Sequence, residues 1–131
     1  MNASERRWLQ AAVGAAALVP IIAGLAGILG GIRPFGSGLL DAAADSHVRY
    51  LSGLLLGIGL GFASMIPRIE AASLGFGLLA LIVVCGGIAR LAGVVLTGTA
   101  PLPVLFALVM ELGVTPLLWW WQSRAQHRQS R

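Results

Sequence analysis

The run LIVVCGGIARLAGVVL, Leu81 to Leu96, is apolar from end to end except for Arg90. A guanidinium near the middle of a membrane span costs about 2.5 to 3.5 kcal/mol even on the most lenient insertion scale, so it needs a partner. Glu111, in LVMELGV, is the other charge set inside a long apolar run. Ionisable groups in such places are candidates for ligand chemistry, with Glu111 as a proton acceptor and Arg90 as the partner of an anion or a carbonyl.

A second group of charges lies in DAAADSHVRYL, where Asp41, Asp45 and Arg49 follow one another at four-residue steps. Neighbours at that spacing share a helix face and can pair. Asp45, Arg49, Arg90 and Glu111, with His47 and Tyr50 close by, are expected to form one polar cluster. The plainer expectation is two ion pairs that fix helix register, which a bundle can use without any ligand.

Other chemistry fits less well. One histidine beside Asp41, Asp45 and Glu111 has no recognisable ligand spacing, so no metal or cofactor is expected. His127 stands in a basic tail and is expected to be solvated. No nucleophile triad, phosphate-cradling glycine loop or paired-cysteine motif is present. Cys85 is expected to be a small buried hydrophobe.

The elements that must position these residues are helices in a bilayer. The 131 residues are 57% apolar and 11% charged, with 18 glycines and a mean hydropathy of +0.86. About 20 apolar residues cross the hydrocarbon core, so the chain holds four spans, about 8–30, 48–66, 71–97 and 102–121, and a tail over 122–131. The expected architecture is all-α, a single integral membrane domain over 1–131 built as a four-helix bundle. The first span is read as an uncleaved anchor, because its apolar run exceeds that of a secretory signal. Pro20 is expected to bend it. The segment 31–47 is the only long connection and is expected to turn helical near Leu39, PRIE (Pro67 to Glu70) forces an antiparallel hairpin, and GTAPLP turns the chain again.

Charge then orients the chain. All nine basic residues are arginines, and the net charge is +4. In a four-span arrangement Arg6, Arg7, Arg68, Arg124, Arg128 and Arg131 share one side, against Arg33 and Arg49 on the other, which makes both termini cytoplasmic. Trp8 and Trp119, Trp120 and Trp121 fall at that same interface, where indoles settle. The basic balance therefore belongs to the membrane flanks and does not indicate nucleic-acid binding.

Depth brings the two intramembrane charges together. Arg90 lies seven residues inside the end of span three at Thr97, roughly 10 Å at 1.5 Å per residue. Glu111 lies nine residues from Leu102, roughly 13 Å below the same surface. An Arg90 to Glu111 pair is the expectation. Gly86, Gly87, Gly93 and Thr97 surround Arg90 at helical spacing and are expected to turn it into the bundle, while Gly53, Gly57 and Gly61 in span two, and Ala23, Gly27 and Gly31 in span one, should let helices approach closely.

The runs DSHVRYLSGLLLGIGLGF, GGIARLAGVVLTGTAPLPVLFALVMELGVTPLLWWWQSR and the IE between them resemble domain-of-unknown-function family 4345, small bacterial inner-membrane proteins, over roughly residues 24–124. DSHVRYLSG, GGIAR and ELGVTP carry Asp45, Arg49, Arg90 and Glu111. The resemblance implies a four-helix fold and a bacterial inner-membrane location, with no activity attached. Two functions follow from the residues. One is a non-enzymatic accessory or scaffold subunit packed against a larger membrane complex, or a homo-oligomer, with the bilayer as its first partner. The other is a protein that binds, carries or transforms a lipid-soluble molecule, such as a quinone or isoprenoid, at the charged cluster.

Overall fold

The computed structural model describes residues 2–31 and 42–127. Asp41, Arg33, Arg128 and Arg131 lie outside the described residues, as does Leu39. Every regular element among the described residues is helical: α1 (Ala3–Gly30), α2 (Ala42–Met65), a 3-10 turn (Ile66–Arg68), α3 (Ser73–Thr97), α4 (Leu102–Leu108), a π-helical turn (Val109–Val114) and α5 (Thr115–His127). Four stretches, Ala3–Gly30, Ala42–Arg68, Ser73–Thr97 and Leu102–Ala125, are long and apolar enough to cross a membrane. At most 22% of any of their most apolar windows is buried inside the protein. Leu, Ile, Val and Phe therefore face outward along each, an arrangement that water would not tolerate and that fits a multi-pass membrane protein.

The chain divides into two compact units, one of residues 1–16 and 65–131, the other of residues 17–64. In the first, α3 and the α4–α5 rod form an antiparallel hairpin, since Arg90 meets Glu111, Gly87 meets Leu112 and Gly77 meets Trp119. Gly98 makes the reversal. At φ +66° it ends α3 in the left-handed conformation, and its N–H donates to the Val94 carbonyl. Pro101 and Pro103 then start α4 where missing N–H groups cost nothing.

The packed core of this unit lies at the opposite end, around the turn after α2. Leu9, Val13, Ile69, Phe76, Ala80 and Ala125 are buried there. A helix end leaves carbonyls without donors. Three side chains supply them: Gln10 Nε2 donates to the Ile66 carbonyl at 2.8 Å, Arg6 Nη2 to Pro67 at 3.2 Å, and Gln122 Nε2 to Ile69 at 2.9 Å. Gln122 is only 1% exposed, so its amide is committed to that task. At the surface of α5, Arg124 stacks on the Trp120 ring, 3.8 Å from its centroid.

In the second unit, the later part of α1 and α2 also run antiparallel, with Gly59 against Ala17 and Ile21, Gly24 against Ser52 and Leu56, and Gly27 against Ser52. At Gly24 an added Cβ would lie 2.7 Å from the Ser52 carbonyl and the Leu56 nitrogen, so the two backbones nearly touch. Gly53 and Gly57 were expected to serve such an approach. Among the described residues, each instead has nothing within 4 Å of where a Cβ would stand. Periodicity marks a glycine stripe but not the side of the helix that a neighbour occupies, and here it is Ser52, Leu56 and Gly59 that face α1. Gly61 contributes its carbonyl, which accepts from the Ser64 hydroxyl at 2.7 Å.

Candidate functional site

Arg90 and Glu111 form the candidate site in the first unit. Arg90 Nε donates to one carboxylate oxygen of Glu111 and Nη2 to the other, each at 3.0 Å. This is the two-point fork in which a planar guanidinium matches a carboxylate. The hairpin turn at Gly98 sets the level, and the direction of the side chain completes it. Helical side chains lean toward the helix N-terminus, which carries the Arg90 head away from Thr97 and down to the deeper position of Glu111.

Glu111 sits inside the π turn. The cause is downstream. Pro116 has no N–H to continue a helical ladder, and its ring crowds the carbonyl four residues back, at Leu112. The preceding turn widens: the Thr115 N–H reaches the Met110 carbonyl, five residues back, and the Thr115 hydroxyl donates to the same oxygen at 2.8 Å. Single π turns inside α-helices are frequent at functional sites. Sequence periodicity missed this turn, although Pro116 one residue after Thr115 in ELGVTP is a signal for it.

Gly87 provides the contact face. A Cβ there would lie 2.8 Å from Leu112 Cδ2 and 2.9 Å from Glu111 Cβ, so only glycine permits this closeness. Gly86 and Gly93 differ: both are exposed, with nothing among the described residues within 4 Å of a Cβ position. Of the three glycines expected on the face around Arg90, Gly87 makes a helix contact within this unit. One side of Arg90 meets Glu111 over Gly87, and its side chain remains 41% exposed, against 16% for Glu111. Cys85 is corrected too, being exposed rather than buried. In an apolar run lipid and protein interior select the same residue types, so hydropathy could not separate the two.

The second unit holds the other pair. Arg49 Nε donates to Asp45 at 2.7 Å, one helical turn away, and Arg49 Nη1 donates to the Ile28 carbonyl near the end of α1. The arginine thus does two jobs, pairing with its neighbour and donating to a carbonyl in the last turn of α1. Gly31, at φ +59°, is packed directly against Asp45 and Arg49. His47 and Tyr50 are exposed on α2. Among the described residues no three His, Cys, Asp or Glu side chains gather as a metal site would require.

A family model described as Domain of unknown function (DUF4345) matches residues 8–122. No curated protein and no solved structure matches the chain.

Proposed function

The chain belongs to the family described as Domain of unknown function (DUF4345), and we propose that it is a non-enzymatic accessory or scaffold subunit of a larger complex in a bacterial inner membrane, with both termini cytoplasmic. The observation that carries this reading is the open face of α2 at Gly53 and Gly57. A glycine in a helix interior costs roughly 0.5 to 1 kcal/mol relative to alanine, and among the described residues no contact within 4 Å of a Cβ position offsets it at these two. Four residues apart, they form the small-xxx-small spacing that lets a helix from another subunit approach closely in a bilayer, where van der Waals fit drives association.

Affinity purification of the tagged protein in mild detergent tests this. Stoichiometric partners should be recovered, and Gly53→Leu with Gly57→Leu should release them while α2 stays folded. Recovery of the chain alone, or only of copies of itself, at several expression levels would overturn the reading.

One observation favours a second function. The π turn that carries Glu111, beside the open Gly86 and Gly93 positions of α3, supports a site for a lipid-soluble ligand at the Arg90–Glu111 pair. Replacing Glu111 by Gln should then abolish binding without unfolding the protein.

A further inference from the structure

A guanidinium has five N–H donors and no acceptor. Glu111 takes two of those on Arg90, one on Nε and one on Nη2. The remaining three, two on Nη1 and one on Nη2, donate to no other described residue, and the side chain that carries them is 41% exposed. In hydrocarbon each unmet N–H costs several kcal/mol. An arginine on a lipid-facing span ordinarily escapes this by snorkelling to the headgroups. Arg90 is held from doing so. Its side chain leans toward the α3 N-terminus, and its fork is fastened to Glu111, which lies roughly 3 Å deeper by residue count.

The surface of α3 on either side of Arg90 is open. Gly86, four residues before Arg90, and Gly93, three residues after it, lie on the same stripe of α3 with open room where side chains would be. Gly87 on the flank is filled by Leu112 and Glu111. The α3 surface on either side of Arg90 is therefore open at these two glycines, and the guanidinium is the polar group on an otherwise apolar face.

Charge decides what fits. Arg90 and Glu111 together are neutral. An added anion would leave the site at net −1 in a low dielectric, and a cation would face the guanidinium; both carry a desolvation penalty that a neutral acceptor avoids. We propose that the free edge of Arg90 hydrogen-bonds the neutral carbonyl oxygen of an apolar, membrane-dissolved molecule lying along the Gly86–Gly93 face of α3. This rests on the lipid-soluble-ligand reading given above and names its chemical class. The same carbonyl chemistry is offered by a dissolved small molecule and by the ester groups of a bilayer phospholipid.

The test uses the full chain in nanodiscs of ether-linked phosphatidylcholine, which has no carbonyl of its own. Methyl palmitate labelled with carbon-13 at the carbonyl is added and followed by infrared spectroscopy. A hydrogen-bonded carbonyl band should appear and saturate at one ester per chain. Unlabelled methyl palmitate should displace it about tenfold or more better than hexadecane or palmitate, the preference expected for one charge-assisted hydrogen bond. Arg90→Lys keeps the charge opposite Glu111 but removes the second donor edge, and it should lose the band. Should that variant fail to fold, the competition series on the unaltered protein decides alone.

A band that persists in folded Arg90→Lys, or hexadecane competing as well as the ester, overturns the proposal. Stronger displacement by palmitate also overturns it while leaving a lipid-ligand site standing. Saturable retention of none of the three, measured by native mass spectrometry, removes the ligand reading itself. Repeating the experiment in ester-linked phosphatidylcholine separates the sources: suppression of the added ester's band identifies the bilayer lipid as occupant, and an unchanged band identifies a dissolved molecule.

Discussion

Arg90 of α3 and Glu111 of the π turn are joined by two parallel hydrogen bonds of 3.0 Å across an antiparallel hairpin. Such a fork constrains both rotation and height of the two helices, which a single contact would not. Arg90→Leu leaves the carboxylate unpaired, and Glu111→Leu strands the guanidinium, so each change should destabilise the hairpin by about 2.5 to 3.5 kcal/mol. The double change should recover most of that loss. Unfolding in mixed detergent micelles measures the cycle. Losses that simply add would mean the fork has no net coupling.

Pro116 creates the turn on which Glu111 stands. Restoring a backbone N–H with Pro116→Ala allows the α-helical ladder to run through residues 109–114, which removes one residue of slack and rotates Glu111 away from Arg90. The substitution should make the isolated helix more stable yet reduce the Arg90–Glu111 coupling energy by at least about half. The same double-mutant cycle carried out in the Pro116→Ala background reads this out. An unchanged coupling would separate the π turn from the ion pair.

Neighbouring glycines should respond oppositely. At Gly87 a methyl group would meet Leu112 and the Glu111 stem at 2.8 to 2.9 Å, so Gly87→Ala should cost about 1 to 3 kcal/mol as an overpacked contact. At Gly86 there is open space, and Gly86→Ala should stabilise the helix by roughly 0.5 to 1 kcal/mol. Detergent unfolding of the two variants side by side checks the sign. Equal effects would refute the assignment of Gly87 as the contact face.

Much of this arrangement was legible in residue spacing. The Arg90–Glu111 pair follows from two counts along a hairpin whose turn is marked by Gly98 and Pro101, and the turn after α2 is marked by Pro67. What escaped detection shares one physical origin. Hydrophobicity in a membrane segment reports only that a residue leaves water. It is silent on whether the residue meets lipid or another helix. Cys85 was assigned a buried place on that ground, while Gly53, Gly57, Gly86 and Gly93 were assigned contact faces from their spacing, which is equally silent on the side a neighbour takes. The π turn escaped because a widened turn shifts the register by one residue, too little to disturb an apolar run that is greasy on every side. The bond from Arg49 to the Ile28 carbonyl escaped because it joins a side chain to backbone on another helix, and backbone groups leave no trace in residue type.

The proposed sidedness places Thr99 outside and Ser4 inside. In a Cys85→Ala background, Thr99→Cys should react with a membrane-impermeant maleimide on intact spheroplasts, and Ser4→Cys only after permeabilisation. The arginines and tryptophans at the Ser4 end motivate this orientation. The reverse labelling pattern would invert the topology and place the Arg90–Glu111 pair nearer the cytoplasm.

Gly31 and Gly98 provide an internal comparison, because both adopt positive φ, +59° and +66°, but in different surroundings. A left-handed conformation costs an ordinary residue about 1 to 2 kcal/mol. Among the described residues nothing lies within 4 Å of a Cβ position at Gly98, so Gly98→Ala should cost only that amount. Gly31 lies against Asp45 and Arg49, the pair that also closes the Ile28 carbonyl, and a methyl group there must push one of them aside. Gly31→Ala should therefore cost the same conformational amount plus the loss of a charge-assisted hydrogen bond, about 1.5 to 3 kcal/mol more. Arg49→Leu should erase that excess, since no arginine then remains to be displaced. Unfolding midpoints of the four proteins decide it. Equal costs at Gly31 and Gly98 would show that the Asp45–Arg49 pair yields freely and does not hold the end of α1.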